Sequence, residues 1–472
     1  MLRALIIAGF GLGLAACASA PPPEDVVLET SQASVLTRIG EDGVPTGWNL
    51  APELNPDVFE AGVPPGESRN VCFISERDEK CFAIRVGDAR DFVILRDGVR
   101  HNTRITGVAR VPAAVFSEAY QAAHRGRTEV LVPEVYELVN IAIALTPFAA
   151  ENQGLVITDT EYYARVQSHF GAYREHPLVR AMDAEMREKV YVYFRNKMNG
   201  YAFEFDANGR IVRSAIYDRT GFDDDVVNTM LPHLAEMQSF ADATGFRAFY
   251  AGERSFYESQ IAYLRDNSDT AGITSWLQGN FPGVRAYDGV KIIFSPLVGY
   301  NQSLTTFNYD GYRELQPHVN FPYRILDGLS AEAAAIQRAN ILFTEMNHGF
   351  IGEPGDQNAA AIDQAIGERA FWADDEKAAR TYGSDLALFN EYMNWGLVSL
   401  YHYDRMNEAD RAISRGQVER MMVNSRGFRQ FVPFNEFLVN AYANRAEGET
   451  LADLYPEIIA WFAAQSAAAP QP

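Results

Sequence analysis

Positive charge is scarce in this chain. Forty-one Lys and Arg face sixty-two Asp and Glu, a formal charge of −21. A surface this acidic repels phosphate backbones, which excludes nucleic acid as the partner. Long apolar runs are missing too. Beyond the first 16 residues nothing approaches the ~20 apolar residues that a membrane-crossing helix needs, so the body reads as soluble and globular. No internal repeat or long low-complexity tract interrupts it, and only residues 466–472 look frayed. At 472 residues the chain is long for a single core and implies two or three domains. Cysteine is rare as well, with three in all, at positions 17, 72 and 81.

What the N-terminus does hold is a leader. Arg3 is the only charge before an apolar run from Ala4 to Leu14, too short to span a bilayer and suited to a signal-peptide core. It ends in Leu14-Ala15-Ala16-Cys17, which resembles the bacterial lipobox at all four positions. The resemblance implies that residues 1–16 are removed, that Cys17 is lipidated, and that the lipid anchor is the membrane contact. Ala18 rather than Asp follows the cysteine, which by the same resemblance implies the outer membrane, with the protein facing the periplasm or the cell surface. Residues 17–25 form a linker, stiffened by Pro21-Pro22-Pro23.

Residues 26–110 read as a small β domain, a sandwich or curled sheet. Val71–Ser75 and Cys81–Arg85 flank a charged turn and form a hairpin pattern. In an oxidising compartment a Cys72–Cys81 bridge across it is expected, contributing about 2–3 kcal/mol by loop closure. Asp97-Gly98 marks a second hairpin turn. After Pro112 the pattern becomes mainly helical, over 111–465, with strands at Val290–Leu297 and Leu304–Asn308 and a hairpin around Asp206–Gly209. The fold class is α+β, a small N-terminal β domain followed by a mostly helical domain with a few strands.

Two helices carry the candidate chemistry. The first spans Ser330–Gly349, with Ser330 as N-cap and Gly349 as a natural stop. Thr344 and Glu345 lie four and three residues before His348, so all three share one helix face. The second helix, Ser384–Arg405, is apolar almost all round and must be buried. Glu391 lies inside its apolar stripe, where a carboxylate must be paired, metal-bound or protonated.

Leu342-Phe343-Thr344-Glu345-Met346-Asn347-His348-Gly349-Phe350 resembles the HExxH helix of gluzincin-type zinc peptidases, and Asn390-Glu391-Tyr392 resembles their downstream glutamate. The likeness is greatest to a group of exported bacterial proteins of unknown function with an HExxH-like helix. It extends from about Pro133 to the C-terminus and includes Glu137-Leu138, His176-Pro177 and Ile292–Gly299. It implies His348 and Glu391 as zinc ligands and Glu345 as the catalytic base. Thr344 stands where the motif has its first His, and catalytic zinc ordinarily takes three protein ligands. His318 and His402 are the candidate substitutes. Tyr392 and Tyr401 are open between steadying an oxyanion and packing.

Three readings follow: a metallopeptidase-like scaffold with a degenerate site, holding zinc weakly or not at all and binding a peptide or envelope protein; an active zinc peptidase with a substitute ligand; and a structural or assembly lipoprotein. The ligand count favours the first. For the anchor the expected outcome is a native protein that begins at Cys17 and carries acyl chains. Mass spectrometry finding an intact, unmodified N-terminus would refute it.

Overall fold

The computed structural model describes residues 26–469 except 42, 44, 51–57, 190–191, 223–224, 301 and 325. The leader 1–16, Cys17 and the linker 17–25 lie outside the described residues, as do 470–472. The architecture is α+β, with the strand-rich part at the N-terminus and a mostly helical remainder.

Eight strands build the first part: β1 (Val27–Thr30), β2 (Ser34–Ile39), β3 (Thr46–Asn49), β4 (Val58–Val63), β5 (Arg69–Ile74), β6 (Glu79–Ile84), β7 (Ala89–Arg96) and β8 (Val99–Ala109). They form two four-stranded sheets, ordered β1-β7-β8-β4 and β3-β2-β5-β6. Leu28, Ile94 and Ile105 of one sheet share a core with Val35, Phe73 and Ile84 of the other. Phe73 is its centre, with the rings of Phe92 and Phe59 at 4.6 and 5.3 Å. Cys72 and Cys81 stand directly opposite in the β5–β6 hairpin and are bonded, with Cα atoms 4.0 Å apart. Asp97 and Gly98 both take positive φ, at 49° and 83°, as a tight β7–β8 turn requires.

The second part is organised on a four-stranded sheet, β13-β14-β12-β9, with the short β10–β11 hairpin (Phe203–Phe205 and Ile211–Arg213) lying between β9 and β12 in the chain. Its strands are β9 (Thr128–Leu131), β12 (Gly289–Ser295), β13 (Ser303–Tyr309) and β14 (Tyr312–Asn320). β12 lies between parallel neighbours β9 and β14 and is buried along its whole length, which accounts for its unbroken apolar run. β14 was not legible as a strand. Arg313, Glu314, Gln316 and His318 interrupt it, yet all four are buried, with Glu314 accepting hydrogen bonds from Tyr120 and Tyr217 at 2.5 and 2.6 Å.

The segment expected as one helix, Ser330–Gly349, is divided. Ala331–Arg338 ends at Ala339, and a second helix runs Asn340–Gln357, straight through Gly349. Gly349 is there for close approach. A Cβ at this position would sit 2.7 Å from the Tyr287 hydroxyl and 2.8 Å from Leu315, and Tyr287 donates to the Gly349 carbonyl at 2.9 Å. Asp385–Arg405 begins as expected, with Ser384 capping Ala387 N at 3.1 Å, and is buried without interruption from Glu391 to His402. The tail read as fraying from 466 is instead helical through Ala468. Ser466 Oγ lies 2.7 and 2.8 Å from the carbonyls of Ala365 and Ile366 and donates to them.

The two parts meet at the loop before the Asp385 helix. Ser34 Oγ donates to Gly383 O at 2.5 Å and Asn49 Nδ2 to Arg380 O at 3.0 Å. Gly47 packs so closely there that a Cβ would lie 2.6 Å from the Gly383 backbone.

One fully buried acid makes the main core sensitive to pH. Glu137, on the Glu134–Ala144 helix, accepts from Tyr162 Oη at 2.6 Å. Burial pushes its carboxyl up from 4.5 to about 7, against hydrogen bonds from Ser295 and Tyr162. The folded value is raised, so this contribution to stability is complete below about pH 4.5 and lost as pH rises through 7. The expected outcome is that wild-type protein loses about 3 kcal/mol more than Glu137→Gln between pH 4.5 and 8. Parallel stability–pH curves for the two proteins in chemical denaturation would contradict it.

Candidate functional site

The Asn340–Gln357 helix packs on β13 and β14 and along the Asp385–Arg405 helix, and this packing brings His348 and Glu391 together. His348 Nε2 lies 3.8 Å from Glu391 Oε2, although the residues are far apart in sequence. Asn394, one turn after Glu391, bridges them. Its Nδ2 donates to His348 Nε2 at 2.8 Å and approaches Glu391 Oε2 at 3.3 Å.

Glu391 is 2 % exposed, and its charge is answered by a residue the sequence did not point to. Arg426 Nη1 lies 2.7 Å from Glu391 Oε1, and Trp395 Nε1 donates to the same oxygen at 2.9 Å. Burial pushes this carboxyl up, but Arg426, His348 and Asn394 outweigh it and hold it below its ordinary value. Arg426 ends a π-helical turn, Met421–Arg426. Its guanidinium lies 5.5 Å from the ring centres of both Trp395 and Phe428 and donates to the Tyr382 hydroxyl.

Glu345 lies on the same face as His348, and Thr344 Oγ1 approaches it at 3.3 Å. The same hydroxyl donates to the Ile341 carbonyl at 2.8 Å, so Thr344 completes its own helix. Burial, then the charge of Glu391, push Glu345 up to about 8. Lys197, fully buried on the Val192–Asn199 helix, exerts the opposing pull and is itself lowered by burial to about 7. Both groups are thus driven toward neutrality near pH 7.

Neither substitute histidine joins the pair. His318 is fully buried within β14, where its Nε2 meets Gln316 Oε1 at 3.1 Å. Burial, reinforced by the Lys197 charge, lowers its pKa well below the usual histidine value. His402 is eleven residues beyond Glu391, about 16 Å along the same helix, and engages Asn340 Oδ1 at 2.8 Å. The two tyrosines pack. Tyr392 donates to Trp372 O at 2.8 Å, and Tyr401 stacks on Phe343 at 4.6 Å.

The donors do not fit a zinc centre. The nitrogen His348 would offer is taken by Asn394, and a guanidinium already neutralises Glu391. Among the described residues the one group of three or more His, Cys, Asp or Glu with converging ligand atoms is Cys72, Glu79 and Cys81, and its sulfurs form the disulfide. No protein-family model, curated protein or solved structure matches the chain, and the site is read from its own geometry.

A cleft of about 500 Å³ opens over this cluster. Its floor is the Glu345–Asp356 stretch of the helix, one wall is β13 through Ser303, Leu304 and Thr306, and Tyr287 and Tyr382 add rings. Asn394 and Trp395, three and four residues after Glu391, were reachable from helical spacing. Arg426 and Lys197 were not, since nothing in their local sequence marks them.

Removing Arg426 leaves a buried carboxylate without its cation. Arg426→Met is expected to lower stability by about 3–5 kcal/mol, and a further Glu391→Gln to restore most of it. Urea denaturation in which the double variant is no more stable than the single would show that the pair is not coupled.

Proposed function

We propose that this chain is a cell-envelope lipoprotein, anchored through Cys17 to the outer membrane, whose peptidase-like cleft binds a peptide segment without cleaving it. The observation that carries the reading is Arg426 against Glu391. A permanent guanidinium charge stands where a hydrolase of this shape would hold zinc. Without a well-held cation no water is acidified, and Glu345, its carboxyl raised by burial and by Glu391, has no activated nucleophile to work on. What remains is a recognition surface. β13 is the edge strand of its sheet and lines the cleft, so an extended peptide can add to it as a further strand, with main-chain hydrogen bonds giving affinity and the cleft giving side-chain selectivity. A peptide or unfolded stretch of an envelope protein is the ligand class.

Three measurements test this. Protein purified without chelators or metal-affinity tags is expected to contain well below one zinc per chain, and unfolded peptides to bind without being cleaved. Gly352 faces open space in the cleft, with no atom within 4 Å of an added Cβ, so Gly352→Trp is expected to weaken peptide binding at least tenfold while the protein stays folded. One tightly held zinc per chain with cleavage abolished by Glu345→Gln would overturn the reading in favour of an active peptidase.

A further inference from the structure

Trp395, whose indole donates to Glu391, also lines a second and larger cleft of about 710 Å³, within the size range of small-molecule sites. Phe321, Ile341 and Met421 give it apolar walls, and Tyr300 forms a rim. That ring is 72 % exposed and lies over Gly154, where a Cβ would come within 2.4 Å of it. An aromatic ring left in water beside an apolar hollow is a surface that gains by being covered.

Three charged side chains line the cleft: Asp159, Arg324 and Arg338. Arg324 and Asp159 satisfy each other at 2.7 Å. Arg338 is different. It closes the Ala331–Arg338 helix, and its Nε is buried with no hydrogen-bond partner among the described residues. No carboxylate among the described residues pairs with its guanidinium, whereas Asp159 pairs with that of Arg324. The chain as a whole carries −21, so a cleft with two arginines against one aspartate runs counter to the overall charge. The guanidinium fork matches a carboxylate in two parallel hydrogen bonds.

We propose that this cleft binds an organic monoanion, its carboxylate on Arg338 and its apolar body against Trp395, Phe321, Ile341 and Met421. Two sources carry that chemistry: the C-terminal residue of a peptide with an apolar side chain, and a free fatty acid. Binding here does not depend on whether the Glu345–Glu391 cleft takes a peptide.

The test is calorimetric titration of the full chain with four probes: N-acetyl-phenylalanine, N-acetyl-phenylalaninamide, dodecanoate and methyl dodecanoate. At least one carboxylate is expected to bind one per chain. A stronger response to N-acetyl-phenylalanine identifies a peptide terminus as the source, and one to dodecanoate a fatty acid. Arg338→Gln is expected to weaken the carboxylate that binds at least tenfold and Arg338→Lys less. The amide is expected to bind at least tenfold more weakly than N-acetyl-phenylalanine if a peptide terminus is the source. Methyl dodecanoate, compared with dodecanoate, serves the same purpose for the fatty acid, and these neutral controls decide the matter even if Arg338→Gln fails to fold. Failure of both carboxylates to bind, equal binding of an acid and its neutral counterpart, or an Arg338→Gln affinity unchanged from wild type would each overturn the proposal.

Discussion

The ion pair between Arg426 and Glu391 is the constraint on which the rest of the site depends. Glu391 sits in a helix buried continuously through His402, and a carboxylate there is tolerable only with a cation and with its remaining lone pairs occupied. Arg426 supplies the first, Trp395 and Asn394 the second. To reach Glu391 the guanidinium gives up water, and the faces of Trp395 and Phe428 replace part of it. The geometry therefore ties together the Asp385–Arg405 helix, the π-helical turn Met421–Arg426 and the loop carrying Tyr382. Gly427 ends that turn at a φ of 85°, where side chains of Lys377 and Asp374 leave no room for a Cβ.

This arrangement orders the neighbouring groups. With Glu391 ionised and engaged, its charge raises Glu345, and Asn394 is fixed so that its amide occupies His348. Lys197 pulls Glu345 the other way and is itself lowered by burial. The centre of the molecule thus holds one complete ion pair and a second acid–base couple that stays near neutral. Such a centre can shape a cleft and tune its polarity.

Much of the fold was legible because its signals are local. Cys72 and Cys81 face each other because two alternating runs flank a polar turn, and Asp97-Gly98 turns the chain because only such residues readily accept positive φ in succession. The burial of Glu391 followed from the apolar character of its helix. The residues that escaped notice depend on distant partners. β14 is polar along much of its length and is buried only because Tyr120, Tyr217 and Lys291 come from elsewhere in the chain to satisfy Glu314. Gly349 reads as a helix stop, but its missing side chain serves Tyr287, which approaches from another segment. Arg426 pairs across a turn whose π-helical winding leaves no local signature. The resemblance drew attention to Glu345, His348 and Glu391, and what it could not convey was the cation already seated among them.

The contact between Gly47 and the Gly383–Ser384 backbone has a mechanical side. Main chain meets main chain there with no flexible side chain between them, and Ser34 and Asn49 pin the same loop at Gly383 and Arg380. Tyr382 lies between those two pins and touches Arg426. The β sandwich therefore acts as a splint. A rotation of the sandwich that strains these pins loads the Tyr382 loop directly, and with it the side of the cleft that the Tyr382 ring lines.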